Sequence, residues 1–422
     1  MSRPRIVIVG AGFGGMEAAR ALAKVDAEVL VIDQRNHHTF QPLLYQVASA
    51  ALSPAEIALP IRHMLRSQAN AQVLLAKVHG VDLAAKLVKT SFGDQAYDVL
   101  VLAVGATHAY FGRDDWAPFA PGLKSLEDAT AIRARVLSSF EHAEVSSDEA
   151  ARKRLLTFAI VGAGPTGVEM AGALAEIARD ALARDFRRID PKAARIVLIE
   201  AGPRILPALP EPLSAYARRV LEKIGVEILT DTLVTGIDAQ GLEIGASRIE
   251  AATMIWGAGV AASPLVQALP GEHDRQGRLK VAPDLSVPGH PEVFVVGDAA
   301  SAAWIEGKTA PGIAPAAKQM GAFAAKRIIA QMAGGAAQPA AFAYKHQGDL
   351  ATIGRNAAVV QIGKVALTGF PAWLFWGAIH VYFLIGLKRR FTVAVDWMWS
   401  YLTRQRGARL ITGEWQGDKP AH

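Results

Sequence analysis

A chain of 422 residues, 51% apolar with a mean hydropathy of +0.21, is long enough for two or three domains and too apolar for a disordered polymer. Its 45 basic and 39 acidic residues leave a net charge of +6, a balance that suits anionic partners such as nucleic acid or a membrane face. Cysteine is absent, which excludes disulfides, thiolate metal sites and cysteine-bound iron–sulfur clusters.

The first run, IVIVGAGFGG (6–15), is a short apolar strand opening into G-x-G-x-x-G, with Gly10, Gly12 and Gly15 as its glycines. The first glycine permits a tight turn, the second lets backbone approach a pyrophosphate, and the third lets the following helix pack on the strand. The helix N-terminus then favours an anion. No charged and apolar leader precedes this strand, so the body of the protein is expected in the cytoplasm. EVLVID (28–33) ends in Asp33, the usual distance on for an acid that binds a ribose. A polar-aromatic segment, NHHTFQPLLYQVASAALSP (36–54), follows. His37 and His38 look like a metal pair, but neighbours in an extended segment point to opposite faces, so no metal site is expected. YDVLVLAVGATHAYFG (97–112) is a buried strand ending in a turn, and LEDATAIRARVLSSFEHAE (126–144) is a helix whose EHAE end reads as a solvated face.

FAIVGAGPTG (158–167) repeats the opening pattern with Gly162, Gly164 and Gly167. A long helical stretch, 169–190, separates it from RIVLIE (195–200) and its terminal Glu200. A carboxylate there accepts hydrogen bonds from a ribose hydroxyl and repels a 2′-phosphate, so NADH is expected over NADPH, with Arg204 near enough to blunt the preference. IEAATMIWGAGV (249–260) echoes the earlier strand-then-glycine run, so the duplication extends beyond the glycines. Two dinucleotide sites in one chain imply electrons passing between two cofactors. HPEVFVVGDAA (290–300) is a strand ending at Gly297 and Asp298, and an Ala-rich helix is expected over about 315–332.

The loop at 333–342 marks a boundary, beyond which PAWLFWGAIHVYFLIGL (371–387) is nearly continuous apolar sequence. It is too short to span a bilayer. Trp373, Trp376, Trp397 and Trp399, together with Lys388, Arg389, Arg390, Arg404, Arg406 and Arg409, give the aromatic and basic enrichment of an interfacial anchor. A buried core helix is the second reading.

The segments IDQRNHHTFQPLLYQVAS, VGAGPTGVE, IWGAGV, VFVVGDAA, ATIGRNAAVV and AWLFWGAIHVYFLIGLKRR together resemble the type II NADH:quinone oxidoreductases, monotopic flavoenzymes of respiratory membranes. The resemblance covers nearly the whole chain, and the last two segments are specific to this family and its near relatives. It implies an α/β fold of two Rossmann-type dinucleotide-binding domains, as in disulfide-reductase-like flavoproteins, plus a C-terminal membrane-associating domain. FAD would be bound by residues 1–115 and 275–335, NADH by 116–274, and the membrane and quinone side would lie in 336–422.

The same resemblance assigns roles. Gly10, Gly12, Gly14 and Gly15 would hold the FAD pyrophosphate and Asp33 its adenosine ribose, with Arg35, Asn36 and Gly105 as further contacts and Asp298 on the ribityl or phosphate side. Asp298 would at the same time cap a helix. NADH would lie on Gly162, Gly164 and Gly167 with Glu200 on its ribose, and the turn ending at Gly259 would let it approach. Glu169 would stand near the flavin–nicotinamide junction, ordering the nicotinamide or assisting proton movement; the alternative is a favourable charge in the first turn of its helix. The family's quinone-side helix carries A-Q-x-A-x-Q-x-G. Here APAAKQMG (314–321) has Pro315 in the first glutamine position and keeps Gln319, whose amide would donate to a quinone carbonyl.

The implied activity is electron transfer from NADH through FAD to a quinone drawn from the bilayer, without proton pumping. The protein would sit peripherally on the cytoplasmic face of the inner (cell) membrane and touch anionic lipid through its tail. A homodimer stays open, and no nucleic-acid partner is expected. Sulfide:quinone chemistry relies on cysteines, which this chain lacks. A reductase for a soluble electron carrier would not need the aromatic-basic tail. A non-enzymatic flavoprotein-like scaffold would show basic stripes across its body.

Overall fold

A computed structural model of the chain describes residues 3–305, 307–334 and 341–412. Its contacts gather into two compact units: residues 1–39, 58–108 and 260–347 in one, and residues 40–57, 109–259 and 348–422 in the other. The expected boundary at 335–336 and the end of the tail lie outside the described residues.

The first unit is built on a six-stranded sheet ordered Ser286–Val287, His290–Val295, Val99–Leu102, Arg5–Val9, Glu28–Asp33 and Ala71–Leu75. All pairings but the first are parallel. Ile6, Val7, Ile8, Val29, Val31 and Ile32 are wholly buried on alternating sides, as strands covered on both faces must be. The helix Phe13–Ala21 follows the first strand. It crosses the helix Ala314–Met332 almost backbone to backbone: a Cβ on Gly321 would stand 2.1 Å from the Gly14 carbonyl oxygen. The Ala-rich helix thus begins one residue before the expected start. Pro315 falls in its first turn, where its missing N–H has no helical partner to lose.

The second unit repeats the plan with four parallel strands ordered Val226–Leu229, Arg195–Ile199, Thr157–Val161 and Thr253–Trp256. The helix Leu126–Val145 starts at a capping box, in which the Ser125 hydroxyl accepts from the Asp128 N–H and the Asp128 carboxylate accepts from the Ser125 N–H. Two sequence expectations are corrected here. The helix Pro165–Glu176 does not continue to 190; it widens into a single π-turn, Ile177–Ala181, and gives way to an irregular loop. That loop is held by Glu144, whose carboxylate accepts backbone N–H groups from Arg187, Arg188 and Ile189 and is thereby kept below the usual range. Glu144 is a backbone cap rather than part of a merely solvated face.

The tail belongs to this second unit. An antiparallel sheet, Asp349–Thr352, Ala358–Ile362 and Val365–Thr368, leads into the helices Gly369–Phe383 and Leu387–Thr403, which break at Gly386 with φ of 90°. No helix among the described residues is long and apolar enough to cross a membrane.

Candidate functional site

Each glycine loop is closed by an acid from the next strand. Gly10 N–H donates to the Ile32 carbonyl at 2.7 Å, and Gly162 N–H to the Ile199 carbonyl at 2.7 Å. Asp33 accepts from the Ala11 N–H at 2.6 Å and the Arg35 N–H at 2.8 Å. Glu200 accepts from the Ala163 N–H at 2.7 Å and the Gly202 N–H at 2.8 Å. The acids therefore brace the loops, and lone pairs remain on each carboxylate for a ligand hydroxyl. Burial pushes the Asp33 carboxyl up. The Arg204 guanidinium donates to the Leu209 and Pro207 carbonyls at 2.7 and 2.8 Å.

What the glycines are for differs along each loop. A Cβ on Gly10 would meet the Ala103 carbonyl oxygen at 2.4 Å, and one on Gly15 would meet the Gly10 oxygen at 1.8 Å. In the second copy Gly162 would meet Ala258 at 2.5 Å and Gly167 the Gly162 oxygen at 1.9 Å. The chain's own backbone forbids side chains at those four positions. At Gly12 and Gly164 a Cβ would meet nothing within 4 Å. The space in front of the middle glycine is open in both loops, at helix N-termini with unsatisfied N–H groups, which is the form of a phosphate cradle.

In the first unit other groups stand on the elements that meet this loop. His37 and His38 face opposite ways on their strand, as expected. His38 Nδ1 donates to the Ala11 carbonyl at 2.7 Å, and burial holds the ring's pKa down to about 4. It is neutral, and its Nε2 is buried without a hydrogen-bond partner. Gly105, with φ of 66°, also faces open space. Asn36 accepts from the Ile61 N–H through its backbone carbonyl. Asp298 lies in the 3-10 turn Gly297–Ala299, not at the start of an α-helix, which corrects its expected capping role: the long helix begins only at Ala314. The turn is tied to that helix instead, through the Gly297 N–H donating to Met320 sulfur at 3.2 Å. Gln319 uses both ends of its amide on Lys345, its oxygen accepting from the backbone N–H and its nitrogen donating to the carbonyl, each at 2.9 Å. The pair pins the segment around Lys345 to the helix.

In the second unit Glu169 lies beyond the first turn of its helix, which contains no acid, so the helix-dipole alternative fails. Its side chain is partly buried and lines a pocket of about 110 Å³. Burial pushes its pKa up to about 8, against the pull of a Thr352 backbone N–H. Tyr45, Gln46, Trp376, Trp397 and Arg406 share the pocket. Arg406 bonds Glu176 at 2.6 Å and the Ser49 carbonyl at 2.6 Å. Gly259 is covered by Phe111, which a Cβ there would meet at 2.6 Å. Of these partners of Glu169, Tyr45 and Gln46 were not singled out from sequence, and Trp376, Trp397 and Arg406 were read only as parts of a membrane anchor. Their signal was present only as the YQ of 45–46 and the spacing of the tail tryptophans, which acquire meaning once 40–57 and 348–412 fold together.

The tail's basic residues do not all face outward, which corrects the count of six. Arg406 is buried, Arg409 pairs with Asp185, and Arg404 reaches Asp180 at 3.5 Å. Trp376 and His380 are buried while Leu387, Phe391, Met398, Trp399 and Leu402 are exposed, so the tail serves as core on one side and as an apolar surface on the other. Among the described residues no group of three His, Asp or Glu is placed to hold a metal.

Residues 4–321 match the pyridine nucleotide-disulphide oxidoreductase family, and residues 346–406 match the NDH2 C-terminal domain. The chain is 46% identical, over 98% of its length and 91% of the relative's, to the type II NADH:quinone oxidoreductase Ndh of Mycobacterium tuberculosis. It is 44% identical to NdhA of the same organism, over 98% of this chain and 90% of that one. Its fold matches NDH2 from Plasmodium falciparum, solved in complex with NADH, with a TM-score of 0.85 at 21% identity over 94% of this chain and 98% of the other. With two glycine cradles, the NDH2-type tail and this degree of likeness, the chain belongs to the type II NADH:quinone oxidoreductase family.

Proposed function

We propose that the protein oxidises NADH and passes the electrons through FAD to a membrane quinone. The observation that carries this reading is the pair of open cradles at Gly12 and Gly164, each braced by an acid. FAD fits the first. Gly10, Gly12, Gly14 and Gly15 hold its pyrophosphate, Asp33, Arg35 and Asn36 its adenosine side, and Gly105 and Asp298 its remaining length. The unpartnered His38 Nε2 is an acceptor in that unit for a ligand donor. When bound, FAD accepts a hydride from reduced nicotinamide and gives electrons onward. Gly162, Gly164, Gly167 and Gly259 seat NADH, and the charge of Glu200 disfavours a 2′-phosphate. Glu169, its carboxyl pushed up by burial, stands near the flavin–nicotinamide junction and orders the nicotinamide or assists proton movement. In the first unit Gln319, clamped on Lys345, has one amide N–H left to donate to a quinone carbonyl.

We assign FAD binding to residues 1–115 and 275–335, NADH binding to 116–274, and the membrane and quinone side to 336–422. Leu387, 81% exposed, and Phe391, 74% exposed, head an apolar face that suits the headgroup boundary on the cytoplasmic side of the inner membrane. Lys388, Arg389 and Arg390 lie beside it. Each base contributes about 1 kcal/mol near an anionic surface, so binding weakens with salt.

One preparation tests the reading. The purified protein should have a visible flavin spectrum, oxidise NADH only when a short-chain quinone is supplied, and sediment with anionic liposomes at low salt. Colourless protein, or NADH oxidation indifferent to quinone, would refute it.

A further inference from the structure

Three side chains in the second unit form a chain whose direction is fixed by chemistry. The Trp397 indole nitrogen donates to Gln46 Oε1 at 2.7 Å. Indole N–H is a donor only, so the Gln46 atom facing it must be the oxygen. The amide nitrogen is thereby turned to Tyr45, where it donates to the phenol oxygen at 2.8 Å. Tyr45 accepts on that side, so its own O–H must point elsewhere. The phenol is buried, and Tyr45 and Glu169 line the same pocket, near enough for the Glu169 charge to act on the phenol. Burial also pushes the phenol well above its usual range, so Tyr45 remains a neutral donor.

Resting on the quinone reading above, we propose that Tyr45 is the catalytic hydrogen-bond donor to a quinone oxygen in this pocket, and that Gln46 and Trp397 are positioning residues that aim its O–H. A phenol so held is preorganised for the charge that develops on the oxygen and needs no reorganisation when electrons arrive. The device also ties the aim of a buried donor to the seating of the Leu387–Thr403 helix, which carries both Trp397 and the exposed apolar face.

The test compares turnover with a water-soluble quinone against turnover with ferricyanide, which needs no such donor, in the full-length flavin-loaded protein. Tyr45→Phe should lower the quinone-to-ferricyanide ratio roughly tenfold or more. Trp397→Phe, which frees the amide to flip, should lower it severalfold through kcat more than KM. Gln46→Glu is the decisive variant. Its carboxylate can accept from both Trp397 and Tyr45, so packing is kept, but the phenol proton is drawn away from the pocket. Measured at about pH 9, far above the usual carboxylate range, it should reproduce the Tyr45→Phe ratio. A Gln46→Glu protein with the ratio of the unmodified enzyme would overturn the proposal. Should that variant lose flavin, an unchanged ratio in Tyr45→Phe overturns it equally. An unmodified protein that reduces ferricyanide but no quinone would instead bring down the functional reading, and the proposal with it.

Discussion

The two glycine loops are near copies in backbone and differ in what leans on their helices. Gly10 and Gly162 have φ of 98° and 97°, each is forbidden a side chain by backbone just past a neighbouring strand, at Ala103 and Ala258, and each loop is braced by a carboxylate. Even Glu17 and Glu169 hold equivalent places, seven residues after the first glycine. Against the first helix lies another helix, so close that Gly14 and Gly321 meet through backbone. Against the second lie Tyr45, the strand end at Thr352 and the buried Arg406. A duplicated cradle can thus serve two tasks because the cradle binds and its surroundings decide what happens next. The helix after the first is sealed by a small-residue crossing; the helix after the second borders a largely apolar pocket that holds Glu169, Tyr45 and Arg406.

The sharpest way to break this comparison is to fill the open space at each middle glycine. Gly12→Val should give colourless protein. Gly164→Val should keep its flavin, bleached normally by dithionite, while NADH affinity falls by roughly 100-fold, as expected for overpacking of up to about 3 kcal/mol. If the losses are exchanged, the two cradles have been assigned the wrong way round. Next in size is Arg406→Ala, which strips a buried partner from Glu176 at the end of the second helix and should cost about 3–5 kcal/mol in urea unfolding. A loss below about 1 kcal/mol would mean that the tail merely rests on this unit.

Glu169 offers a test by pH. Its pKa is about 8 in the folded chain against the usual 4.5, so between those values the folded state binds more protons than the unfolded. Stability from this group is therefore greatest at the acid end of that window and declines as pH rises through it, by a few kcal/mol at most. Glu169→Gln should flatten that decline; an identical pH profile would show that the carboxyl is already ionised near neutrality. The smallest expected effect is at Glu200. Glu200→Ala should narrow the preference for NADH over NADPH about tenfold, consistent with loss of one charged hydrogen bond, and a preference left intact would move cofactor choice elsewhere.

Both loops, their acids and the outline of the strands were legible because each is written in a few consecutive residues. Glycine spacing, apolar runs and a strand-terminal carboxylate all act locally. Glu144, Arg406, Gln319 and Tyr45 were not legible in the same way. Glu144, Gln319 and Arg406 are defined by partners 26 to 357 residues away, Tyr45 by a neighbour that Trp397 orients, and no local period reports that Glu144 will collect three backbone N–H groups from 187–189. The tail was half legible. Its apolar and aromatic content announced a surface, but which arginines would turn inward depended on Glu176, Asp180 and Asp185, acids that looked like ordinary helix charges.

The bond from Arg406 to the Ser49 carbonyl joins residues 357 positions apart, and it has a consequence for the making of the protein. Translation delivers about 5–20 residues per second. The Leu44–Ala48 helix therefore leaves the ribosome well over ten seconds before the guanidinium that will secure it. During that interval Glu176 is an acid without its base, and the faces later covered by Trp376 and Trp397 stand open to chaperones and to neighbouring nascent chains. The second unit gains its Arg406 bonds only after residue 406 is synthesised, so arrest or termination before that point removes a lock on it.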